Sequence, residues 1–274
     1  MDRSAQIDRI LSQQNVNGGP FWSRGDGNIH APNGMSTLLV LNVLGELGAS
    51  VRSHPQVAAA VEFVLDYQTP DGGLRYSPRG GKLPCLVGQG LAGIAKVGAA
   101  DDPRAIAAMT WLISKRHDGG GWRCATVRWG KSTATDHSNP GATLFVLDAL
   151  RYYGLQAQVR GDAAAGVESL LHHWETRLPT GPCAFGIGAR FLSIEYPFTR
   201  YNLFYFVDVL SHYPQALADA RFQAAYRELA SHARGGQLIV EHPHKAWRGY
   251  EFAQPGQPNP VTARIFEDIR ARAT

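Results

Sequence analysis

The chain has 274 residues, of which 44% are hydrophobic, 10% are aromatic and 18% are charged, and its formal net charge is +4. This length and composition predict one compact globular domain over residues 1–274 with a substantial core. The positive charge is mild, and the sequence contains no nucleic-acid-binding motif and no long run of Lys or Arg. These features argue against nucleic acid as a partner.

The three cysteines, Cys85, Cys124 and Cys183, are sparse and odd in number, which argues against a disulfide framework and indicates a reducing compartment. The N-terminal sequence MDRSAQIDRI is polar and does not have the pattern of a signal peptide. No stretch approaches the roughly 20 apolar residues of a membrane span. We therefore expect a cytoplasmic protein without an integral membrane span.

Glycine-rich corners recur along the chain and define a repeat. The corners contain Gly18, Gly72, Gly120, Gly181 and Gly235. A spacing of about 50 residues is typical of repeated supersecondary units. The chain is therefore predicted to consist of repeated supersecondary units of about 50 residues.

Each corner separates an amphipathic helix from an apolar one. In chain order, the pattern predicts helix pairs over 4–14 and 35–48, 55–68 and 85–98, 103–116 and 140–154, 162–175 and 199–214, and 219–232 and 259–272. The first helix of a pair carries its charges on one side and suits an outer position. The second is apolar nearly all round in the first four pairs, which suits an inner, buried position.

Strand-like alternation is nearly absent, so the predicted fold is all-α. Inner helices that need neighbours on every side favour an (α/α) toroid or barrel of about five outer–inner helix pairs. Its inner helices run parallel, and their entry loops therefore crowd one end of the ring.

One polar position repeats along the predicted inner helices, six residues before each helix ends. It is occupied by Asn42, Ala92, Asp148 and Asp208. A buried carboxylate needs a partner or a proton. Two interpretations stay open: hydrogen bonding between helices, or a polar lining of the central lumen.

Two corners carry a family resemblance. Residues 67–74 read YQTPDGGL and residues 115–122 read KRHDGGGW, with Gln68 in the first and Arg116 in its place in the second. These segments resemble the QW-type repeat of squalene and hopene cyclases and of protein prenyltransferase β subunits. The resemblance extends over about residues 10–270. It implies an (α/α) toroid whose central cavity binds a small hydrophobic or isoprenoid-diphosphate ligand, with cyclisation or prenyl transfer by acid or metal assistance as the activity.

The sequence also departs from these families. It contains no Asp-x-Asp-Asp string of the hopene-type cyclases, and Asp101-Asp102 lacks the third Asp of a metal–diphosphate motif. The alternative is therefore a non-catalytic toroid that acts as a lipid-binding or protein-interaction module. The oligomeric state is not defined by the sequence.

The corner after Gly120 resembles the zinc-binding region of the prenyltransferases. Asp136 and His137 precede an inner helix, but Ser138 stands where the zinc-binding thiolate of that family would be. With Cys85 and Cys124, the resemblance implies zinc as the candidate cofactor and a four-ligand set of residue types that zinc accepts. In the other interpretation the two cysteines are small buried hydrophobes and Asp136 caps a helix.

The loop end of the ring combines positive charge with aromatic side chains. Parallel helix N-termini there favour an anion, and the residues expected to bind substrate are Arg75, Arg123, Trp122, Trp129, Lys131, Arg200 and Tyr201. The alternative is that long exposed loops carry Arg in any case. The candidate catalytic groups are Asp136, His137 and Asp148, because burial in an apolar cavity raises the pKa of a carboxyl toward that of a general acid.

Overall fold

The structure is a computed structural model that describes residues 1–124, 137–153, 157–180 and 185–274, with the side chains of 157–160 left out. Within these ranges the chain is helical, apart from a two-stranded hairpin. None of the described helices combines the length and apolar character needed to cross a bilayer.

Five outer helices alternate with five inner ones, which confirms the predicted pairs. The outer helices are α1 (Arg3–Leu11), α3 (Pro55–Leu65), α5 (Pro103–Ile113), α7 (Ala157–Thr176) and α11 (Ala220–Ser231). The inner helices are α2 (Thr37–Leu47), α4 (Pro84–Lys96), α6 (Pro140–Leu150), α9 (Leu203–Leu210) and α12 (Pro260–Ala273). Shorter elements are α8 (Ala189–Leu192), α10 (Pro214–Leu217) and the strands β1 (Ala233–Arg234) and β2 (Gln237–Leu238).

Local sequence explains where these helices begin. A proline occupies the first turn of α3, α4, α5, α6 and α12, where its missing N–H costs no hydrogen bond. The residue before the first turn often caps it with a side-chain oxygen that accepts from a backbone N–H, as in Asp102, Asn139, Asn202, Asp219 and Asn259.

Burial separates the two kinds of helix as the sequence predicts. Every residue of α9 is buried, and ten of the eleven residues of α6 are buried. By contrast, α1 and α11 each bury three residues on one face. The hydrophobic core therefore lies between the inner helices and the inward faces of the outer ones.

The inner helices form a closed ring. In ring order, α2 packs on α4, α4 on α6, α6 on α9 and α9 on α12. The ring closes where Nη2 of Arg264 on α12 donates to the carbonyl oxygen of Glu46 on α2, at 2.6 Å. The fold is thus an (α/α) toroid.

The glycine-rich corners have a structural role. Isolated antiparallel bridges join Gly18 to Arg24, Gln68 to Leu74, Arg116 to Trp122 and Thr180 to Phe185, and β1 pairs with β2 in the last corner. Each corner therefore folds back on itself before the chain enters the ring.

Side chains of the corners tie each repeat to its neighbours. Nε2 of Gln68 donates to the carbonyl oxygen of Arg104 at the start of the next outer helix, at 2.6 Å. In the following corner, Arg116 forms an ion pair with Asp162 of the next outer helix at 2.6 Å. Trp122 is fully buried, and its indole N–H donates to the carbonyl of Leu112 at 2.8 Å.

Candidate functional site

The N-terminal ends of the inner helices surround a cavity of about 470 Å³, here called the mouth cavity. Its walls include Cys85, Cys124, Phe145, Phe185, Arg200 and Tyr201. The first turns of α4 and α6 contribute to these walls, so the positive ends of two helix dipoles face the cavity. This arrangement confirms that the inner helices enter the ring from one end.

The walls of the mouth cavity are mainly apolar and aromatic. The rings of Phe185 and Tyr201 meet edge to face, with centroids 5.6 Å apart. Gly141, in the first turn of α6, leaves room for Phe185, because a Cβ there would lie 2.5 Å from the end of that ring. A glycine at this position therefore keeps an aromatic wall in place.

An ion pair lies at the edge of this cavity. Nε and Nη2 of Arg200 both lie 2.6 Å from Oε2 of Glu195, which is fully buried, and the Thr199 hydroxyl donates to its Oε1 at 2.7 Å. Arg190 approaches the same carboxylate at 3.9 Å. Two guanidinium groups around one carboxylate leave a net positive charge at this edge.

The protonation of Glu195 depends on these neighbours. Burial raises the pKa of Glu195 to about 7, against the Thr199 hydroxyl and the Arg190 guanidinium, which lower it. The contact with Arg200 acts in the same direction as Arg190, since a guanidinium at hydrogen-bonding distance favours the carboxylate. Arg200 therefore favours the charged form of Glu195, and its departure would favour the protonated form.

Tyr201 in the cavity wall is held by a buried histidine. Nε2 of His173 lies 3.0 Å from the carbonyl oxygen of Leu178 and 3.1 Å from that of Phe185, so this nitrogen carries the proton. Nδ1 is then an acceptor, and the Tyr201 hydroxyl donates to it at 2.8 Å. Burial lowers the pKa of His173, which keeps the ring neutral. Any ligand that reaches the Tyr201 oxygen therefore meets lone pairs.

The lumen is closed below the mouth cavity. Leu39, Gln89, Phe145 and Tyr205 occupy the same position in their repeats, and with Phe198 they leave only about 10 Å³ between them. The Phe198 and Tyr205 rings stack, with centroids 4.7 Å apart. The ring is thus plugged at mid-height, and no open channel joins its two ends in the described part of the chain.

A second cavity, of about 430 Å³, lies at the C-terminal ends of the inner helices and is here called the base cavity. Charged side chains of alternating sign border it. Lys96 Nζ lies 2.9 Å from Oε1 of Glu46 and 3.2 Å from Oδ2 of Asp148. The network extends to α9 because Nη1 of Arg151 lies 3.2 Å from Oδ2 of Asp208. This network joins α2, α4, α6 and α9, and Arg272 of α12 reaches Asp208 at 3.5 Å.

The structure corrects the role expected of Asp148. This carboxylate is fully buried at the base, far along α6 from the mouth, and accepts from the Tyr205 hydroxyl at 2.7 Å. Burial alone would raise the pKa of Asp148, but Arg151 and Lys96 outweigh burial and hold the pKa below its usual 3.8. Asp148 is therefore an ionised member of the network between helices, with no proton to donate.

The predicted substrate-binding residues do not form one group in the structure. Arg200 and Tyr201 line the mouth cavity, whereas Trp122 is a core residue of its corner. Arg75 donates to the carbonyl oxygen of Pro78 at 3.4 Å beside a separate small pocket, and Arg123 is exposed. Trp129 and Lys131 lie outside the described residues, as does Asp136.

The predicted zinc ligands come together only in part. Cys85 and Cys124 both line the mouth cavity, and His137 is half-buried just before α6. Within the described ranges, no three His, Cys, Asp or Glu side chains are arranged to hold a metal ion. Because Asp136 falls outside those ranges, the four-ligand set stays a prediction.

Among the residues of the mouth cavity that the sequence did not indicate are His30, Gln89, Phe145 and Phe185. Gln89 was detectable, since it is the one polar side chain in an otherwise apolar stretch, LVGQGLAGIA. Phe145 was hidden because an aromatic residue on a buried helix reads equally well as core.

Comparisons with known proteins give information about the fold of this chain only. No protein-family model matches this chain, and no curated protein matches it. A solved structure of a protein from Actinoplanes is 17% identical with a TM-score of 0.56, over 100% of this chain and 75% of that one. The type II terpene cyclase MstE from Scytonema, in its apo form, is 16% identical with a TM-score of 0.35, over 98% of each chain.

A further structure of a variant of the same cyclase contains geranylgeranyl dihydroxybenzoate as substrate. It is 16% identical to this chain with a TM-score of 0.35, over 99% of this chain and 97% of that one. At such identities, the Actinoplanes structure shows a shared helical fold alone. The MstE structures superpose too loosely to support a conclusion about activity.

Proposed function

We propose that the mouth cavity binds an isoprenoid or another lipid-like ligand with an acidic head group. The observation that carries this proposal is one cavity that combines an aromatic, apolar wall with a net positive edge. Its volume of about 470 Å³ falls in the range of about 300–1,000 Å³ typical of small-molecule sites.

The head group is expected beside Arg200. Its side chain is 38% exposed although it pairs with Glu195, so it can face a ligand from the edge of the cavity. The first turns of α4 and α6 add their partial positive charge on the same side. Diphosphate and carboxylate are the groups that such an environment favours.

The ligand body is expected to be short. Below Phe145 the plug around Tyr205 and Phe198 leaves no space for a chain that continues toward the base. A ligand of squalene length would have to displace that plug or stay partly in solvent. Short isoprenoids and medium-chain fatty acids fit this cavity better than long hydrocarbons.

Cyclisation or prenyl transfer is the catalytic form of this proposal. Either reaction would need its acid or metal at the mouth, where Asp136 and His137 precede α6 in the sequence. Since Asp148 is ionised at the base, it cannot supply that acid. The second candidate function is a non-catalytic toroid that carries the lipid or docks a protein.

Calorimetric binding of geranyl diphosphate, decanoic acid and squalene tests the proposal. We expect saturable binding of the two acids and none of squalene. Cys85→Phe, which adds a ring at the cavity wall, should abolish that binding. Thr110→Phe adds the same ring on the exposed face of α5 and should leave binding unchanged. Equal affinity of wild type and Cys85→Phe would contradict the assignment of the cavity.

Product analysis separates catalysis from binding. If geranyl diphosphate and longer isoprenyl diphosphates are converted, Asp136→Ala should stop conversion while binding persists. If wild type binds these ligands and forms no product, the protein is a carrier and the catalytic form fails.

A further inference from the structure

Two polar atoms in the wall of the mouth cavity make no hydrogen bond of normal length and angle, although their side chains interact with each other, since Gln89 raises the pKa of His30 against the effect of burial. They are Oε1 of Gln89, on α4, and Nδ1 of His30, in the loop before α2, and both atoms are buried. Gln89 as a residue is only 4% exposed. A buried polar group without a partner is unfavourable, and each such case in a folded protein calls for an explanation.

Packing of the toroid does not require a polar side chain where Gln89 stands. The equivalent position of the other repeats holds Leu39, Phe145 and Tyr205, and all four residues border the same closed part of the lumen. A leucine would fill this space, as it does in α2. The carboxamide is therefore an addition to the repeat that the fold does not need.

A neighbouring residue shows how a structural amide behaves in this ring. Nδ2 of Asn42 donates to the carbonyl oxygens of Leu38 and Gln89, both at 2.9 Å. Asn42 thus ties α2 to α4 and has its partners within the protein. The Gln89 side-chain oxygen ties no two inner helices together, and the neighbour that it affects is His30 in the loop before α2.

From these observations we infer that the ligand is oxygenated: a lipid-like or isoprenoid acid whose hydroxyl group meets Gln89 and His30 while its acidic group faces Arg200. A hydroxyl both donates and accepts, so it can donate to Oε1 of Gln89 and pair with Nδ1 of His30. Burial lowers the pKa of His30, so the imidazole is neutral beside this group. This inference rests on the proposed function and specifies its ligand.

The test compares ω-hydroxy acids from hexanoic to dodecanoic acid with the unsubstituted parent acids, by calorimetry. For the best-fitting length, wild type should prefer the hydroxy acid by roughly tenfold, the ratio that one added hydrogen bond to a buried group gives. Gln89→Leu should remove this preference and bind the parent acid at least as tightly. His30→Phe should reduce the preference in the same direction.

Thermal unfolding of the free protein gives an independent readout. Gln89→Leu should raise Tm, because it replaces an unsatisfied buried oxygen by an apolar group. A lower Tm would show that the carboxamide serves the fold and would overturn the inference. Asn42→Leu is the matched control and should lower Tm.

The binding outcomes separate the two proposals. Equal affinity of wild type for hydroxy and parent acids, or a preference that survives in both variants, overturns the hydroxyl assignment alone. Failure of every acid to bind wild type overturns the proposed function and this inference with it.

Discussion

The ammonium group of Lys96 on α4 lies 3.2 Å from Oδ2 of Asp148 on α6. The same ammonium lies 2.9 Å from Glu46 on α2, and only 6% of the Lys96 side chain is exposed. One buried cation therefore holds three consecutive inner helices at the base of the ring. The charged side chains that hold the ring together therefore lie at the base, whereas the residues proposed to contact a ligand lie at the mouth.

Replacing Lys96 should destabilise the ring. Lys96→Met leaves two carboxylates without their shared cation, and removal of one partner from a buried ion pair costs about 3–5 kcal/mol. Urea unfolding followed by circular dichroism measures the loss. Lys82→Met, which breaks the solvent-facing pair with Asp71, is the control and should leave the unfolding midpoint nearly unchanged. Similar midpoints for both variants would contradict the assigned role of Lys96.

The base network should also make the protein sensitive to acid. Burial opposes the charged form of Asp208, but Arg151 and His212 hold its pKa well below the usual 3.8. The unfolded chain therefore binds protons first as the pH falls below that value, and the free energy of unfolding decreases. Unfolding curves at stepwise lower pH should show this decrease, and Lys96→Met should make it shallower. A stability that stays constant through this range would contradict the network.

The repeat predicted most of the fold because glycines and apolar helices are local signals. The structure contains the predicted corners at Gln68 and Arg116 and the five predicted helix pairs. The site was harder to predict, because partners of a lumen residue come from other helices. The sequence alone predicts Asp148 as a candidate general acid, whereas in the folded chain Lys96 and Arg151 keep its carboxylate ionised.

Repeat position also explains which lumen residues were missed. When the inner helices are aligned on their last residues, the position of Asp148 is polar in three of the four helices and is therefore conspicuous. The position one turn earlier is polar only at Gln89 and Tyr205, and it does not stand out. Arg200, Tyr201, Cys85 and Cys124 could be placed at the mouth from the sequence because they lie in the loops that enter the inner helices or in the first turn after such a loop.

A glycine in a corner, Gly120, and a glycine that follows the inner helix α4, Gly98, differ in what an added side chain would contact, and this difference is measurable. Gly120 and Gly98 both have left-handed backbone angles, with φ of 87° and 85°. A Cβ at Gly120 would lie 2.7 Å from the carbonyl oxygen of Ala165 in α7, whereas a Cβ at Gly98 meets nothing within 4 Å. Gly98→Ala should therefore cost about 1–2 kcal/mol of backbone strain.

Gly120→Ala should cost more than this by about 1–3 kcal/mol, because the added methyl group forces α7 away from the corner. Chemical denaturation of the two variants side by side provides the comparison. Equal losses would show that the corner does not press against α7.

Ligand binding should be coupled to proton uptake at Glu195. An acidic ligand that draws Arg200 toward itself removes a cation from a buried carboxyl, so the pKa of Glu195, already raised by burial, should rise further. At neutral pH, a fraction of a proton should then be taken up per bound ligand. Calorimetry in buffers of different ionisation enthalpy measures this number, and Glu195→Gln should reduce it to zero. Identical heats in all buffers for wild type would contradict the coupling.

The central claim is that the mouth cavity is the ligand site, and photolabelling tests it most directly. A fatty acid with a diazirine in its chain, once bound and irradiated, should label peptides that contain the first turns of α4 and α6 and the segment around Phe185. Excess decanoic acid should suppress that labelling. Labelling confined to the base cavity near Arg264, or to the outer surface near Trp111, would contradict the account.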